Sequence, residues 1–148
     1  MSDDLRILAD GFREALRHAV WVARHLDEAA EFSTSQLAVL NMVAGEGLRM
    51  GSIAKNLGVR VPSATEQVAR LEKAGLLERG SDPHDARAVV VRRTAAGDEA
   101  AARDNALRSG RMADAMSALT DSERAALAAA LPVMDKINKH VTNQEMPA

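Results

Sequence analysis

The sequence predicts a mainly α-helical fold that carries one small β-element of two or three strands. Toward both ends of the 148-residue chain, apolar residues recur every three or four positions, which is the period of amphipathic helices. A short β-branched run occurs at 89–91, directly after a polar, turn-forming stretch. Ala is the largest part of the 47% hydrophobic fraction and aromatic residues make up only 2%. We expect a core of small side chains, closely packed helices and a partner chain that helps to bury them.

The first predicted helix lies within residues 4–31 and has a narrow apolar seam. The seam residues recur at spacings of three and four and are Leu5, Leu8, Phe12, Leu16, Ala19, Ala23 and Leu26. Because two of them are alanines, a neighbouring helix can approach closely. The pattern therefore predicts packing against another helix rather than against a sheet.

Two further helices are predicted in residues 95–141. Thr94 caps the first of them, and Thr120 with Glu123 forms a capping box at the start of the second. Pro132 lies inside the second helix, where we expect it to kink or split the helix.

Residues 33–97 contain three shorter helices. Ser33 and Gln36 form a capping box at the start of the first, and Gly58 ends the second in a left-handed conformation. The third begins near Pro62, a residue that suits a first helical turn.

A β-hairpin is predicted after these helices. Leu76 and Leu77 open one strand, residues 88–93 form the returning strand, and residues 80–85 form a polar turn that is too long for a tight hairpin. An order of three short helices and then a hairpin with a charged tip is typical of a winged helix-turn-helix. In that module, the helix before the hairpin enters the major groove of DNA.

The outward face of that helix supplies the candidate base-reading residues. The 3.6-residue period places Ala64, Val68 and Leu71 inward. The polar residues left on the other side or flanks are Ser63, Thr65, Glu66, Gln67, Arg70 and Lys73. Hydroxyl groups bond bases or phosphates, Gln67 can pair with adenine, and the two cations suit phosphate.

Glu66 places an acid on a surface that faces phosphate, and two interpretations remain open. Its carboxylate can accept a hydrogen bond from the amino group of cytosine. Alternatively, it pairs with Arg70 four residues later and serves only the helix.

Basic side chains are concentrated in the same segment. From Arg49 to Arg93 there are nine Lys or Arg and five Asp or Glu, a net charge of +4, although the whole chain carries −2. A basic segment of this kind can face phosphate, while an ordinary fluctuation of surface charge gives the same count. The additional phosphate candidates are Arg49, Lys55, Arg60, Arg92 and Arg93.

These motifs resemble the MarR family of bacterial transcription regulators. The resemblance is carried by Gln36–Leu40, by Ile53–Gly58, by the spacing of residues 68–76 and by Asp85-x-Arg87 in the hairpin. It implies a homodimer joined through the first and last helices, a palindromic operator in double-stranded DNA and repression that a small ligand relieves.

The resemblance also assigns roles in the hairpin. Arg87 matches an arginine that enters the minor groove, where a narrow A·T-rich tract has enhanced negative potential. Asp85 orients the loop, and we expect Arg79 on the preceding strand to be its ion-pair partner.

Four residues depart from the family pattern. Arg49 replaces the usual Ser or Thr before the second short helix, and Glu66 replaces a commonly basic residue. Ala86 stands where many members have a second wing arginine, and Arg93 replaces an apolar residue. These changes affect the expected affinity and operator sequence rather than the fold.

A ligand pocket is implied where the dimerisation helices meet the winged part. Its candidate lining is Phe12, Trp21, His25, Met42 and Met112. An aromatic or phenolic acid is the implied ligand. The alternative is an ordinary core, because a Met or Phe at helical spacing is usually a core residue.

Several function classes are disfavoured. The chain has no Cys, which excludes disulfides and thiolate chemistry, and it has no Gly-rich phosphate loop or nucleophile elbow. We expect no enzyme activity, no cofactor and no metal. With no apolar run of membrane-spanning length and no signal-peptide pattern, a cytoplasmic location is expected.

We therefore expect one MarR-type domain over residues 1–148. Its DNA-binding part is 33–97, and its dimerisation helices lie in 4–31 and 95–141. The alternative is a winged-helix module that binds protein without reading DNA sequence.

Overall fold

The computed structural model describes residues 3–27 and 30–144. The elements follow the order α1 (Asp3–Leu26), α2 (Thr34–Met42), α3 (Met50–Leu57), α4 (Val61–Lys73), β1 (Leu77–Asp82), β2 (Asp85–Arg93), α5 (Ala95–Met116) and α6 (Asp121–Gln144). The predicted mainly α-helical class with a small β-element is confirmed. The chain divides into two compact units after Ser109, within α5.

The helices of the first unit begin and end where local chemistry predicts. Ser33 Oγ accepts a hydrogen bond from the Gln36 N–H at 3.2 Å, and the Ser33 N–H donates to Gln36 Oε1 at 2.9 Å, so the capping box of α2 is confirmed. Gly58 follows α3 with φ of 66°, the left-handed region that favours glycine. Pro62 lies in the first turn of α4.

The hairpin is tighter than the sequence predicted. Strands β1 and β2 pair antiparallel as far as Asp82 and Asp85, so only Pro83 and His84 form the turn. The prediction of a long turn was wrong because the Asp82 carboxylate accepts the His84 N–H at 2.9 Å, and this hydrogen bond stabilises a two-residue turn.

A third segment joins the hairpin at one point. Leu48 and Val91 form an isolated antiparallel bridge, in which the Leu48 N–H donates to the Val91 carbonyl at 2.9 Å and the Val91 N–H returns a bond at 2.8 Å. This bridge attaches the strand β2 to the segment that leads into α3.

One apolar core holds α2, α3, α4, the hairpin and the start of α5 together. Its buried members are Phe32, Leu37, Val39, Leu40, Val43, Ile53, Ala54, Ala64, Val68, Leu71, Leu77, Val91, Ala100 and Ala101. Most are Ala, Val or Leu, as the composition predicts. Because α4 contributes three residues to this core, its opposite face is turned to solvent.

The first turn of α5 crosses close to the end of the helix-turn-helix. Thr94 Oγ1 donates to the Gly75 carbonyl at 2.6 Å and accepts the Gly97 N–H at 3.1 Å, which confirms the predicted cap. A Cβ atom on Gly97 would lie 2.0 Å from the carbonyl oxygen of Leu76. Glycine is therefore required sterically at this crossing.

The first helix covers the predicted apolar seam and presents many apolar side chains to solvent. It ends at Leu26, the last residue of that seam, and residues 28 and 29 lie outside the described residues. Its exposed large hydrophobic residues are Leu5, Ile7, Leu8, Leu16, Val20, Trp21 and Val22.

In the second unit, α6 runs without interruption through Pro132, so the expected split of this helix was wrong. A proline removes the hydrogen bond to the carbonyl four residues earlier, here that of Ala128. Ala128 is exposed, so water can hydrogen-bond to that carbonyl and the helix continues.

The Thr120–Glu123 capping box at the start of α6 is confirmed by hydrogen bonds of 2.8 and 3.3 Å. Among the helices that the structure describes, none combines the length and the apolar run needed to cross a membrane.

Candidate nucleic-acid interface

The outer face of α4 is polar and open to solvent. Ala64, Val68 and Leu71 are buried, which confirms the predicted inward face. Ser63, Glu66, Arg70 and Lys73 are exposed, whereas Thr65 and Gln67 are half-buried at the flanks. Contact of these six residues with DNA stays a prediction.

Two of these side chains are already engaged within the helix. Thr65 Oγ1 donates to the Val61 carbonyl at 2.8 Å, so its proton is used and its lone pairs remain to accept a bond from a base or another donor. Arg70 Nη2 lies 2.6 Å from Glu66 Oε1. The helix-pairing interpretation of Glu66 is therefore realised in this structure, and the base-reading interpretation stays open.

The helix α3 and its connection to α4 supply further cations. Lys55 is exposed in the last turn of α3, and Arg60 is exposed immediately before α4. The Arg60 side chain makes no capping hydrogen bond to α4. Both positions suit a backbone phosphate.

The predicted ion pair between Arg79 and Asp85 was wrong. Arg79 lies opposite Val91, several positions from the hairpin tip, and binds Glu72 near the end of α4 with distances of 2.8 and 3.3 Å. The hydrogen bond to Glu72 and its charge raise the pKa of Arg79 above its ordinary value. Arg79 therefore fastens β1 to α4.

Asp85 contacts Arg87 through the backbone. Asp85 Oδ1 accepts the Arg87 N–H at 3.1 Å, and Asp85 Oδ2 lies 3.5 Å from Arg49 Nη2. Arg87 itself is exposed on β2, three residues after the turn residue His84. The Asp85 side chain thus fixes the backbone at Arg87 by one hydrogen bond, and its role in orienting the loop stays a prediction.

Sequence reasoning missed the main partner of Arg49. This residue precedes α3 and binds Asp82 of the wing, with Nε and Nη2 at 2.8 and 2.7 Å from Oδ2. The pKa of Asp82 is lowered by the hydrogen bond from the His84 N–H and by the bond from Arg49, and the pKa of Arg49 is raised by Asp82. The available signal was the departure from Ser or Thr at position 49.

Two other phosphate candidates lie against neighbouring residues of the fold. Arg93 Nε lies 2.7 Å from Asp98 Oδ1, with only 19% of its side chain exposed. Arg92 lies across Gly80, where a Cβ atom would come within 2.0 Å of its guanidinium. These contacts make both residues weaker phosphate candidates than Lys55 or Arg60.

The residues predicted to line a ligand pocket are dispersed over several environments. Met42 packs partly buried against the apolar core, and Met112 lies in the second unit. The rings of Trp21 and His25 on α1 lie with centroids 3.8 Å apart and their planes tilted by 37°, and Phe12 lies on the same helix, closer to its N-terminus. Three surface cavities in the described part of the chain are lined by other residues. The ligand role of these five residues stays a prediction.

The fold and the polar face of α4 together define the structural class of this protein. Two short helices packed at the start of a hairpin, with the second helix exposing a polar face, constitute a winged helix-turn-helix of the DNA-binding type. The model of the MarR family matches residues 31–88. An HTH-type transcriptional regulator of Mycobacterium tuberculosis, MT0903.1, is 32% identical over 112 residues, which are 75% of this chain and 78% of that protein. The chain belongs to the MarR family, whose members are transcriptional regulators and not enzymes.

Solved structures agree with this fold. RV1404 from Mycobacterium tuberculosis has a TM-score of 0.74 at 20% identity, over 94% of this chain and 97% of that one. PcaV from Streptomyces coelicolor, solved in complex with its natural ligand, has a TM-score of 0.61 at 24% identity over 99% of both chains. A mutant of MepR from S. aureus bound to an oligodeoxyribonucleotide has a TM-score of 0.57 at 21% identity, over 87% and 96%.

Proposed function

We propose that this regulator is a homodimeric repressor that binds a palindromic operator in double-stranded DNA and is released by a small ligand. The observation that carries the proposal is the sidedness of α4. Ala64, Val68 and Leu71 are buried in the core, whereas the polar face of the helix lies open to solvent, and the hairpin that follows carries the exposed Arg87.

Each part of this surface has a matching part of B-DNA. The face of α4 with Ser63, Glu66 and Gln67 suits base edges in the major groove. Arg70, Lys73, Lys55 and Arg60 suit the flanking phosphates. Arg87 suits the adjacent minor groove, where a guanidinium meets concentrated negative potential.

Apolar side chains that a single chain leaves exposed on α1 and α6 support homodimerisation. On α1, Leu8 is 69% exposed and Trp21 is 61% exposed. In the second unit, the exposed residues of α6 include Leu131, Val133 and Ile137. A second copy that covers these helices removes the cost of their hydration. Two winged parts then read two half-sites spaced about one DNA turn, ~34–36 Å, apart.

Release by a ligand requires different affinities of the ligand for two shapes of the dimer. A small aromatic or phenolic molecule is the proposed ligand, with Phe12, Trp21, His25, Met42 and Met112 as its lining. Support comes from the solved PcaV structure, which holds that protein's own natural ligand. A ligand that favours another spacing of the recognition helices weakens operator binding.

The proposal is tested by a mobility shift with the DNA upstream of the protein's own coding sequence, at two salt concentrations. A saturable shift that weakens steeply with salt is expected, because neutralised phosphates release counterions. Arg87→Ala is expected to lose about 1–3 kcal/mol of binding free energy. Arg13→Ala is the matched control, since it removes an exposed arginine of α1 whose side chain is 79% exposed.

The alternative is a winged-helix module that binds protein. The net charge of −2 and the acidic Glu66 on α4 favour it. Absence of any shift at low salt, with folded protein, would support this alternative and overturn the repressor.

A further inference from the structure

Arg49 connects the hairpin tip to the start of the helix-turn-helix. It precedes α3 but leaves the helix N-terminus uncapped by its side chain. Its guanidinium instead holds Asp82 Oδ2 at 2.7 and 2.8 Å and lies 3.5 Å from Asp85 Oδ2. One planar cation thus binds carboxylates on both strands of the wing.

Both carboxylates use their other oxygen on the wing backbone. Asp82 Oδ1 accepts the His84 N–H at 2.9 Å, and Asp85 Oδ1 accepts the Arg87 N–H at 3.1 Å. The contact of Arg49 therefore continues through Asp85 to the backbone of Arg87.

The strand pairing alone leaves Arg87 unsupported. Ser81 pairs with Val89 and Asp82 pairs with Asp85, so residues 86–88 of β2 have no partner on β1 within this register. An irregularity of this kind re-aims side chains and weakens the ladder around it. The position of Arg87 consequently depends on Asp85, and Asp85 is held by Arg49.

We propose that Arg49 is a positioning residue, which fixes the direction of Arg87 by fastening Asp82 and Asp85 to the start of α3. This inference rests on the proposed DNA-binding function. It replaces the expectation that Arg49 neutralises a phosphate. The Asp82 side chain is only 11% exposed, whereas that of Arg49 is 51% exposed, so solvent screens their bond in part.

Asp82→Asn distinguishes a phosphate-binding role of Arg49 from a positioning role, because the two roles predict opposite changes in DNA affinity. If Arg49 acts only as a cation near phosphate, removing a neighbouring negative charge strengthens DNA binding. If Arg49 positions the wing, the same change weakens binding, because a charge-assisted bond is lost. We expect operator binding to fall about tenfold, as for the loss of one hydrogen bond to a charged group. Tighter binding by Asp82→Asn overturns the inference.

A double-mutant cycle provides the second test. Arg49→Gln should reduce operator affinity, and Arg87→Ala should then cost much less in the Arg49→Gln background than in the natural chain. Lys55→Gln is the matched control, since it removes an exposed cation of α3 and its effect should add to that of Arg87→Ala. Additive losses for Arg49→Gln and Arg87→Ala contradict a positioning role.

A third measurement needs no DNA. Trypsin cleaves after Arg87, and the rate of that cut, followed by mass spectrometry, reports how firmly the tip is held. Arg49→Gln and Asp82→Asn should speed this cut several-fold, and Arg49→Lys should restore the rate only in part, since an ammonium lacks the fork geometry. Lys55→Gln should leave the rate unchanged, and circular dichroism should show equal helix content in all variants.

The outcomes distinguish this inference from the function on which it rests. A natural chain that binds its operator while Arg49→Gln binds and is cut equally well overturns the inference alone. A natural chain that binds no DNA overturns both, whatever the proteolysis shows.

Discussion

Asp104 and Arg108, one turn apart on α5, form a buried ion pair with Asp104 Oδ2 at 2.9 Å from Arg108 Nε. The Asp104 side chain is fully buried, and its Oδ1 accepts the Glu31 N–H at 3.1 Å. Arg108 also pairs with Asp27 and donates to the Phe32 carbonyl at 2.6 Å. This cluster joins α5 to the connection between α1 and α2. Sequence reasoning did not identify it.

Asp104→Ala is expected to lower the free energy of unfolding by about 3–5 kcal/mol, because it leaves a mostly buried guanidinium with fewer partners. Urea unfolding at one fixed protein concentration measures this, since association also contributes to stability. Asp10→Ala is the control, because the pair of Asp10 and Arg13 is exposed and should contribute less than about 1 kcal/mol. A loss for Asp104→Ala as small as that of the control would contradict the role of the cluster.

Gly97→Ala should destabilise the protein by about 1–3 kcal/mol, as overpacking does. Its Cβ atom would meet the Leu76 carbonyl oxygen at 2.0 Å, and backbone cannot easily withdraw. Gly51→Ala in α3 meets nothing within 4 Å and should gain up to about 1 kcal/mol. Thermal unfolding of both variants checks the prediction, and equal unfolding midpoints for Gly97→Ala and Gly51→Ala would contradict it.

Glu123→Ala should destabilise the protein at neutral pH but not in acid. The Thr120 N–H and hydroxyl lower the pKa of Glu123 below its ordinary value of 4.5. A lowered pKa means stability that is present above the ordinary value and lost as pH falls through the folded-state value. The difference in unfolding midpoint between the natural chain and Glu123→Ala should therefore shrink below about pH 4.5. A difference that stays constant from pH 7 to 3 would exclude the charged cap.

Leu8→Lys should convert the proposed dimer to monomer, because it places a charge within the predicted apolar seam of α1. Sedimentation velocity at micromolar concentration measures the result. Glu14→Lys adds the same side chain to the polar side of α1 and should leave the dimer intact. A natural chain that sediments as a monomer would refute the dimer directly.

Glu66→Gln separates base reading from helix pairing. If Glu66 reads a cytosine, the variant should change its preference at one operator base pair by about 1–3 kcal/mol. If Glu66 only pairs with Arg70, all base-substituted operators should shift in affinity together. Binding to a set of single-base variants of the operator decides between them.

Sequence periodicity and capping chemistry sufficed for most of the fold. The bonds of Ser33, the left-handed Gly58 and the buried face of α4 depend on residues within a few positions, where local rules apply. The long hairpin turn was mispredicted because the hydrogen bond from the His84 N–H to the Asp82 side chain closes a two-residue turn, which residue composition alone did not indicate. The continuous α6 was mispredicted because an exposed turn tolerates a proline.

The amino-acid sequence by itself determined the order of elements, the family, and which residues of α4 face outward, because these follow from periodicity and short-range bonds. The tertiary structure alone decided the partners of the charged side chains. Arg79 binds Glu72 rather than Asp85, and Arg49 binds Asp82, 33 residues away. Each charged side chain has many possible partners of opposite charge in the sequence. Only the folded backbone brings one of them within hydrogen-bonding distance.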